Sequence, residues 1–138
     1  MTDHKQLTEA QWRERLTPEQ YRILREGGTE PPFCGVFVKE ARPGTYHCAG
    51  CGQALFSSEV KFDSGSGWPS FFEALDSGAI AERVDDSLGR RRIEVRCSTC
   101  DGHLGHVFED ASNTPTGRRY CINSAALQLQ PAATGKEA

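Results

Sequence analysis

Two C-x-x-C pairs constrain this chain more than any other feature: Cys48-Ala49-Gly50-Cys51 and Cys97-Ser98-Thr99-Cys100. Four soft thiolate ligands in two pairs match the tetrahedral demand of a structural Zn²⁺ ion. Gly52 follows the first pair and Asp101-Gly102 the second, and a glycine there lets the backbone turn tightly around a metal. Residues 52–96 separate the pairs, far more than the ~15–20 residues of a compact zinc ribbon. One ion would therefore clamp two distant hairpins of a larger domain. Two disulfides, or a redox pair beside a spectator pair, would use the same residues. Disulfides need an oxidising compartment, and the polar start Met1-Thr2-Asp3-His4-Lys5-Gln6 lacks the apolar core of a signal peptide. The expectation is a cytoplasmic protein with one structural zinc per chain on Cys48, Cys51, Cys97 and Cys100.

The 138 residues suit one domain over 1–138, with 1–6 and 131–138 as flexible ends. No run approaches the ~18 apolar residues of a membrane span, so no membrane partner is expected. Sixteen basic against nineteen acidic residues give a net charge of −3. Counterion release requires a concentrated basic face, and Arg90-Arg91-Arg92 is the densest basic spot, close to Asp85 and Asp86. No nucleic-acid partner is expected.

Thr8-Glu9-Ala10-Gln11 and Thr17-Pro18-Glu19-Gln20 fit capping boxes, which predicts two short helices, the second ended by Gly27-Gly28. Trp12, Leu16, Tyr21 and Leu24 fall near one stripe and are the expected core contacts. Beyond residue 33 the pattern changes to short strands: 35–39, 45–48, 79–84, 91–97, 106–108, 119–123 and 126–130. Glycine, proline and asparagine turns separate them. No helix long enough for a parallel crossover lies between them. A mostly β, antiparallel domain follows, as a sandwich or small barrel.

Cys34 and Cys121 remain outside the two pairs. A lone cysteine is commonly a small buried hydrophobe, but Cys121 lies in Arg118-Arg119-Tyr120-Cys121-Ile122-Asn123-Ser124. Period two puts Arg119, Cys121 and Asn123 on one face and Tyr120 and Ile122 on the other. A guanidinium beside a thiol favours the thiolate, and an amide can hold a reacting group. Downstream of the second pair, His103-Leu104-Gly105-His106-Val107-Phe108 carries two histidines. They can complete a two-cysteine, two-histidine metal site with Cys97 and Cys100, or one of them can serve as a general acid. An ideal strand would aim them at opposite faces; a bulge at Gly105 would bring them together. The loop Ser64-Gly65-Ser66-Gly67-Trp68-Pro69-Ser70-Phe71 delivers aromatic residues, either as core anchors or as the wall of an apolar ligand site.

These three segments, in this order and interleaved with the two C-x-x-C pairs, resemble the B-type methionine-R-sulfoxide reductases over roughly residues 8 to 130. The resemblance implies a β-barrel-like pair of antiparallel sheets with short N-terminal helices and a four-cysteine zinc site remote from the chemistry. It implies reduction of methionine-R-sulfoxide, in proteins, in peptides or free, to methionine. Cys121 would attack the sulfoxide sulfur and His106 would protonate the departing oxygen, with His103 beside it. Arg119 and Asn123 would tune the thiolate, and Trp68 would pack on the S-methyl group, with Phe108 as a second substrate contact. Many members carry cysteine where this chain has Ser66, and that cysteine resolves the Cys121 sulfenic acid. A serine cannot form a disulfide. Cys34 is the thiol left once zinc and nucleophile are assigned, and it is expected to form a Cys34–Cys121 disulfide reduced by thioredoxin; the competing reading is a buried core thiol. A zinc-ribbon binding module is the rival of another class. A zinc-dependent nucleobase deaminase is excluded, because neither pair follows the H-x-E and P-C-x-x-C pattern that enzyme requires.

Overall fold

A computed structural model describes residues 7–31, 35–38, 40, 42–76, 78–86 and 92–131. Cys34 lies outside these. Helices α1 (Glu9–Arg15) and α2 (Pro18–Leu24) begin at Thr8 and Thr17. Each threonine accepts from the backbone of a glutamine three residues on, whose side chain returns the bond, so both capping boxes form as expected. Trp12, Leu16, Tyr21 and Leu24 are all buried, and Ile23 joins them.

Nine strands follow among the described residues: β1 (Gly44–Cys48), β2 (Ala54–Ser57), β3 (Lys61–Phe62), β4 (Ser70–Phe71), β5 (Ile80–Asp85), β6 (Arg92–Cys97), β7 (His103–Phe108), β8 (Arg119–Ile122) and β9 (Leu127–Pro131). They form two wholly antiparallel sheets, ordered β2-β1-β9 and β3-β4-β8-β7-β6-β5. Neither sheet closes on itself among the described residues, so the arrangement is two packed sheets rather than a closed barrel. The sheets meet through aromatic rings. Phe56 of β2 stacks on Phe71 of β4 at 4.4 Å between centroids, and Tyr46 of β1 meets Phe71 edge-on at 5.2 Å. No described helix is long and apolar enough to cross a membrane.

The expected strand over residues 35–39 is instead a turn in its described part, Gly35 to Val38. Its polar groups are spent locally: Val38 N–H bonds the Gly35 carbonyl, and Phe37 N–H bonds Ser124 Oγ at 3.1 Å. Val36 is 78% exposed. Strands β2, β3 and β4 carry no signal that sequence reading recognised. β3 and β4 are two residues each and exist only through their pairing. β7 begins at His103, three residues before the expected start.

Candidate active site and metal centre

Antiparallel register aligns one row of residues across four strands of the larger sheet. Ser70 of β4 pairs with Cys121 of β8, Cys121 with His106 of β7, and His106 with Glu94 of β6. Paired residues project from the same face, so thiol and imidazole are cross-strand neighbours held by the ladder. The next row, Phe71, Tyr120, Val107 and Ile93, projects the other way into the core. Gly105 makes this spacing possible. A Cβ there would collide with the Cys121 carbonyl oxygen and crowd Ile122 Cα, so any side chain would force β7 away from β8.

Cys121 is 8% exposed. Arg119 Nη1 donates to its Sγ at 2.8 Å, while Arg119 Nε and Nη2 bind the Asp110 carboxylate at 3.0 and 2.8 Å. The guanidinium also lies over the Phe108 ring at 4.5 Å. Hydrogen bonding to Asp110 raises Arg119 above its ordinary value, and the same contact holds Asp110 below its own. A permanent cation is thereby fixed against the sulfur, as the alternation of Arg119 and Cys121 predicts.

The histidines meet through a bulge, which falls at Leu104 rather than at Gly105. Val95 pairs with Gly105 and Arg96 with His103, leaving Leu104 as the extra residue. The two imidazoles lie edge to face at 5.5 Å. Each has a carboxylate partner backed by an arginine. His106 Nε2 is 2.7 Å from Asp85 Oδ2, which also holds Arg92 at 3.2 Å. His103 Nδ1 is 2.6 Å from Glu94 Oε2, which also holds Arg96 at 2.8 Å. Burial lowers the His103 pKa against the opposing pull of Glu94, and its Nε2 is buried with no partner among the described residues.

Cys121, His106, Arg119, Asn123, Trp68 and Phe108 line one cavity of about 310 Å³. Trp68 is pinned by its indole N–H to the Glu30 carbonyl at 2.9 Å. Asn123 Nδ2 donates to the Leu104 carbonyl, and its Oδ1 accepts the Glu30 N–H, both at 3.0 Å. The Glu30 carboxylate then caps the short 3₁₀ turn Ser124–Ala126 through two backbone N–H groups. A thiol under a cation, an imidazole and two aromatic walls make a site able to reduce a small electrophile carrying an apolar substituent.

The four cysteines of the C-x-x-C pairs cluster elsewhere. Cys48 ends β1 and Cys51 follows it, Cys97 ends β6 and Cys100 follows it, and their sulfurs all lie within 4.8 Å of one another. Cys48 Sγ to Cys100 Sγ is 3.7 Å and Cys51 Sγ to Cys97 Sγ is 3.5 Å. The edge of a tetrahedron with Zn–S bonds of ~2.3 Å is about 3.8 Å, so the donor set fits such an ion. His103 and His106 are not in this cluster. Gly52 takes φ +86° in the first knuckle as expected, but in the second Asp101, at φ +63°, makes the left-handed turn. Its carboxylate is held by Arg96 Nε at 2.9 Å. The helices seal the centre: Arg15 donates to the Gly50 carbonyl, Arg25 donates to the Cys100 carbonyl, and Arg25 stacks on Trp12 at 4.5 Å. Arg92 lines the cavity and Cys97 sits five residues further along β6, a separation of about 17 Å at strand rise.

A family model described as "SelR domain" matches residues 16–131. The chain belongs to the SelR domain family. A peptide methionine sulfoxide reductase MsrB from Cellvibrio japonicus is 55% identical over 129 residues, spanning 94% of this chain and 91% of that protein. One of the same name from Thiobacillus denitrificans is 56% identical, spanning 95% and 98%. Another, from Leptospira interrogans, is 56% identical, spanning 86% and 90%. The crystal structure of the Mis18 "Yippee-like" domain superposes with a TM-score of 0.52 at 17% identity, covering 66% of this chain and 98% of that one. That likeness is one of fold.

In this SelR domain the structure brings together Cys121, His103, His106, Arg119, Asn123, Trp68 and Phe108, and separately the four paired cysteines. Sequence reading did not single out Asp85, Glu94 or Asp110, the carboxylates that hold the two imidazoles and the guanidinium. Asp85 and Glu94 reach their partners across strand register, which no linear spacing encodes. Asp110 sits in a loop nine residues before Arg119.

Proposed function

We propose that this SelR domain reduces methionine-R-sulfoxide in proteins and peptides to methionine, with Cys121 as nucleophile. The Cys121 sulfur under the Arg119 guanidinium, in a cavity walled by Trp68 and Phe108, carries the reading. Sulfoxide sulfur is electrophilic, but its oxygen leaves only when protonated. The Cys121 thiolate bonds to the sulfoxide sulfur while the protonated His106 imidazole supplies a proton to the oxygen, and the S-methyl group rests on Trp68. The hydroxyl then passes to the Cys121 sulfur as the sulfoxide S–O bond and the bond between the two sulfurs break, so methionine departs reduced by two electrons and Cys121, oxidised by two, is left as a sulfenic acid. His103, held toward its neutral form by burial, orients the neighbouring acid. Arg119 and Asn123 keep the sulfur in place.

Cys34 is assigned as the resolving thiol. It condenses with the sulfenic acid, releasing water and forming a disulfide that thioredoxin reduces. The residues on either side support the assignment: Glu30 bonds Asn123, Ser124 and Ala125, and the Cα of Gly35 packs on Ser124, three residues from Cys121. Zinc is the proposed ion at Cys48, Cys51, Cys97 and Cys100, where it supplies structural cross-linking only. A cytoplasmic site of action suits cysteines that form no disulfide, as holds for Cys48, Cys51, Cys97, Cys100 and Cys121.

Methionine release from separated sulfoxide epimers, with dithiothreitol as reductant, tests the reaction. Turnover of the R epimer alone is expected; turnover of neither by folded, metal-loaded protein would favour a zinc-ribbon binding module. Intact mass after one turnover tests Cys34. The wild-type protein should lose two hydrogens and the Cys34→Ser variant should instead gain one oxygen; a two-hydrogen loss in the variant would refute Cys34.

A further inference from the structure

We propose that Ser66 is a further catalytic residue, donating its hydroxyl hydrogen to the Cys121 sulfur in its thiolate state; this rests on the reading of Cys121 as nucleophile. Ser66 Oγ lies 3.5 Å from Cys121 Sγ. The direction of its hydrogen follows from the groups around it. Ser64 donates its hydroxyl to Ser66 Oγ at 2.8 Å, and the Trp68 backbone N–H approaches the same oxygen at 3.4 Å. With both lone pairs occupied, the Ser66 hydrogen is left pointing at the sulfur.

Ser70 has the opposite role. It is fully buried and 3.7 Å from Cys121 Sγ, but its hydrogen goes to Ser64 Oγ at 2.7 Å, since Ser64 spends its own on Ser66, with the Trp68 carbonyl a second acceptor at 3.0 Å. Ser70 therefore faces the sulfur as an acceptor, matched to an S–H, whereas Ser66 faces it as a donor, matched to S⁻. Together with Arg119 Nη1 at 2.8 Å, the thiolate has two donors, and hydrogen bonds to an ion are the stronger class. The loop is shaped for this placement. Gly65 and Gly67 take φ +74° and +93°, and Asp63 accepts the Gly65 N–H at 2.9 Å. Ser66 and Arg119 also line a second, polar cavity of about 390 Å³ that Cys121 does not line. The two residues therefore lie between that cavity and the sulfur.

The test is the rate of Cys121 alkylation by iodoacetamide in the reduced, metal-loaded full chain, read by peptide mass across pH. Loss of one charged hydrogen bond should slow Ser66→Ala about five- to tenfold at pH 7. The high-pH plateau, where the thiolate is already formed, should stay within about twofold, and kcat should fall with KM nearly unchanged. Ser66→Thr, which keeps the hydroxyl, should behave as wild type. An unchanged rate at pH 7, or equal slowing at every pH, would overturn the proposal, since the second outcome reports access rather than ionisation. If Ser66→Ala does not fold, Ser64→Ala, which removes the donor aiming Ser66, should slow alkylation about two- to threefold at pH 7; no change would overturn the proposal. Alkylation needs no sulfoxide, so wild-type protein that shows the Ser66 effect but does not turn over sulfoxide would refute the reductase reading alone.

Discussion

Replacing Cys121 with serine is expected to lower kcat/KM for methionine-R-sulfoxide by at least about a thousandfold while fold and metal content persist. A serine hydroxyl at neutral pH is a poor nucleophile, and its oxygen cannot take the two oxidising equivalents that a sulfur accepts as sulfenic acid. The change is sterically mild. Cys121 already has hydroxyl and guanidinium neighbours in Ser66, Ser70 and Arg119, so a shorter hydroxyl at that site finds polar partners. Thermal unfolding should stay within a few degrees of wild type, about what a 1 kcal/mol change produces. Methionine release by chromatography, beside a melting curve, gives both readings. Retention of more than about 1% of activity would move the nucleophile to another thiol.

Stripping the metal is expected to unfold the protein rather than merely inactivate it. Structural zinc in small domains contributes on the order of 10–16 kcal/mol, comparable with the 5–15 kcal/mol that a whole domain typically has in hand. Here the ion would tie the end of β1 in the three-stranded sheet to the end of β6 in the six-stranded one. Arg15 and Arg25 fasten the helices to the same two knuckles. Chelation under reducing conditions should therefore abolish the near-ultraviolet dichroism of buried Trp12, Tyr46 and Tyr120 together. Elemental analysis before chelation should give one zinc per chain. Metal-free protein with an unchanged melting curve would make the cluster a packed thiol core.

Local chemistry was legible in the sequence. The two capping boxes are self-contained within four residues, so α1 and α2 could be read directly. Cys121 and Arg119 share a face by strand alternation alone, and the contact forms at 2.8 Å. Pairing decided the rest. Gly35–Val38 has strand-like residues but forms a turn, with the Phe37 N–H taken by Ser124 and the Val38 N–H by the Gly35 carbonyl. β3 and β4 are too short to show periodicity. Asp85 and Glu94 became visible as partners of His106 and His103 only once β5, β6 and β7 were in register. The second knuckle turns at Asp101 rather than at Gly102; the tight packing of Gly102 against Leu24 and Cys100 explains its lack of a side chain instead.

Because Cys121 and His106 are rungs of one ladder, with Trp68 anchored to Glu30 beside them, the site presents three rigid points to a pyramidal sulfur. In the proposed reaction one meets the sulfur, one its oxygen and one its methyl group. Those three contacts leave a single direction for the remaining substituent, the rest of the methionine side chain. In the mirror image that substituent and the sulfur's lone pair change places, so the side chain would have to leave by the path that the first isomer keeps for its lone pair. Handedness of substrate choice thus follows from an achiral inventory of groups, once hydrogen-bonded strands forbid any of the three to trade places.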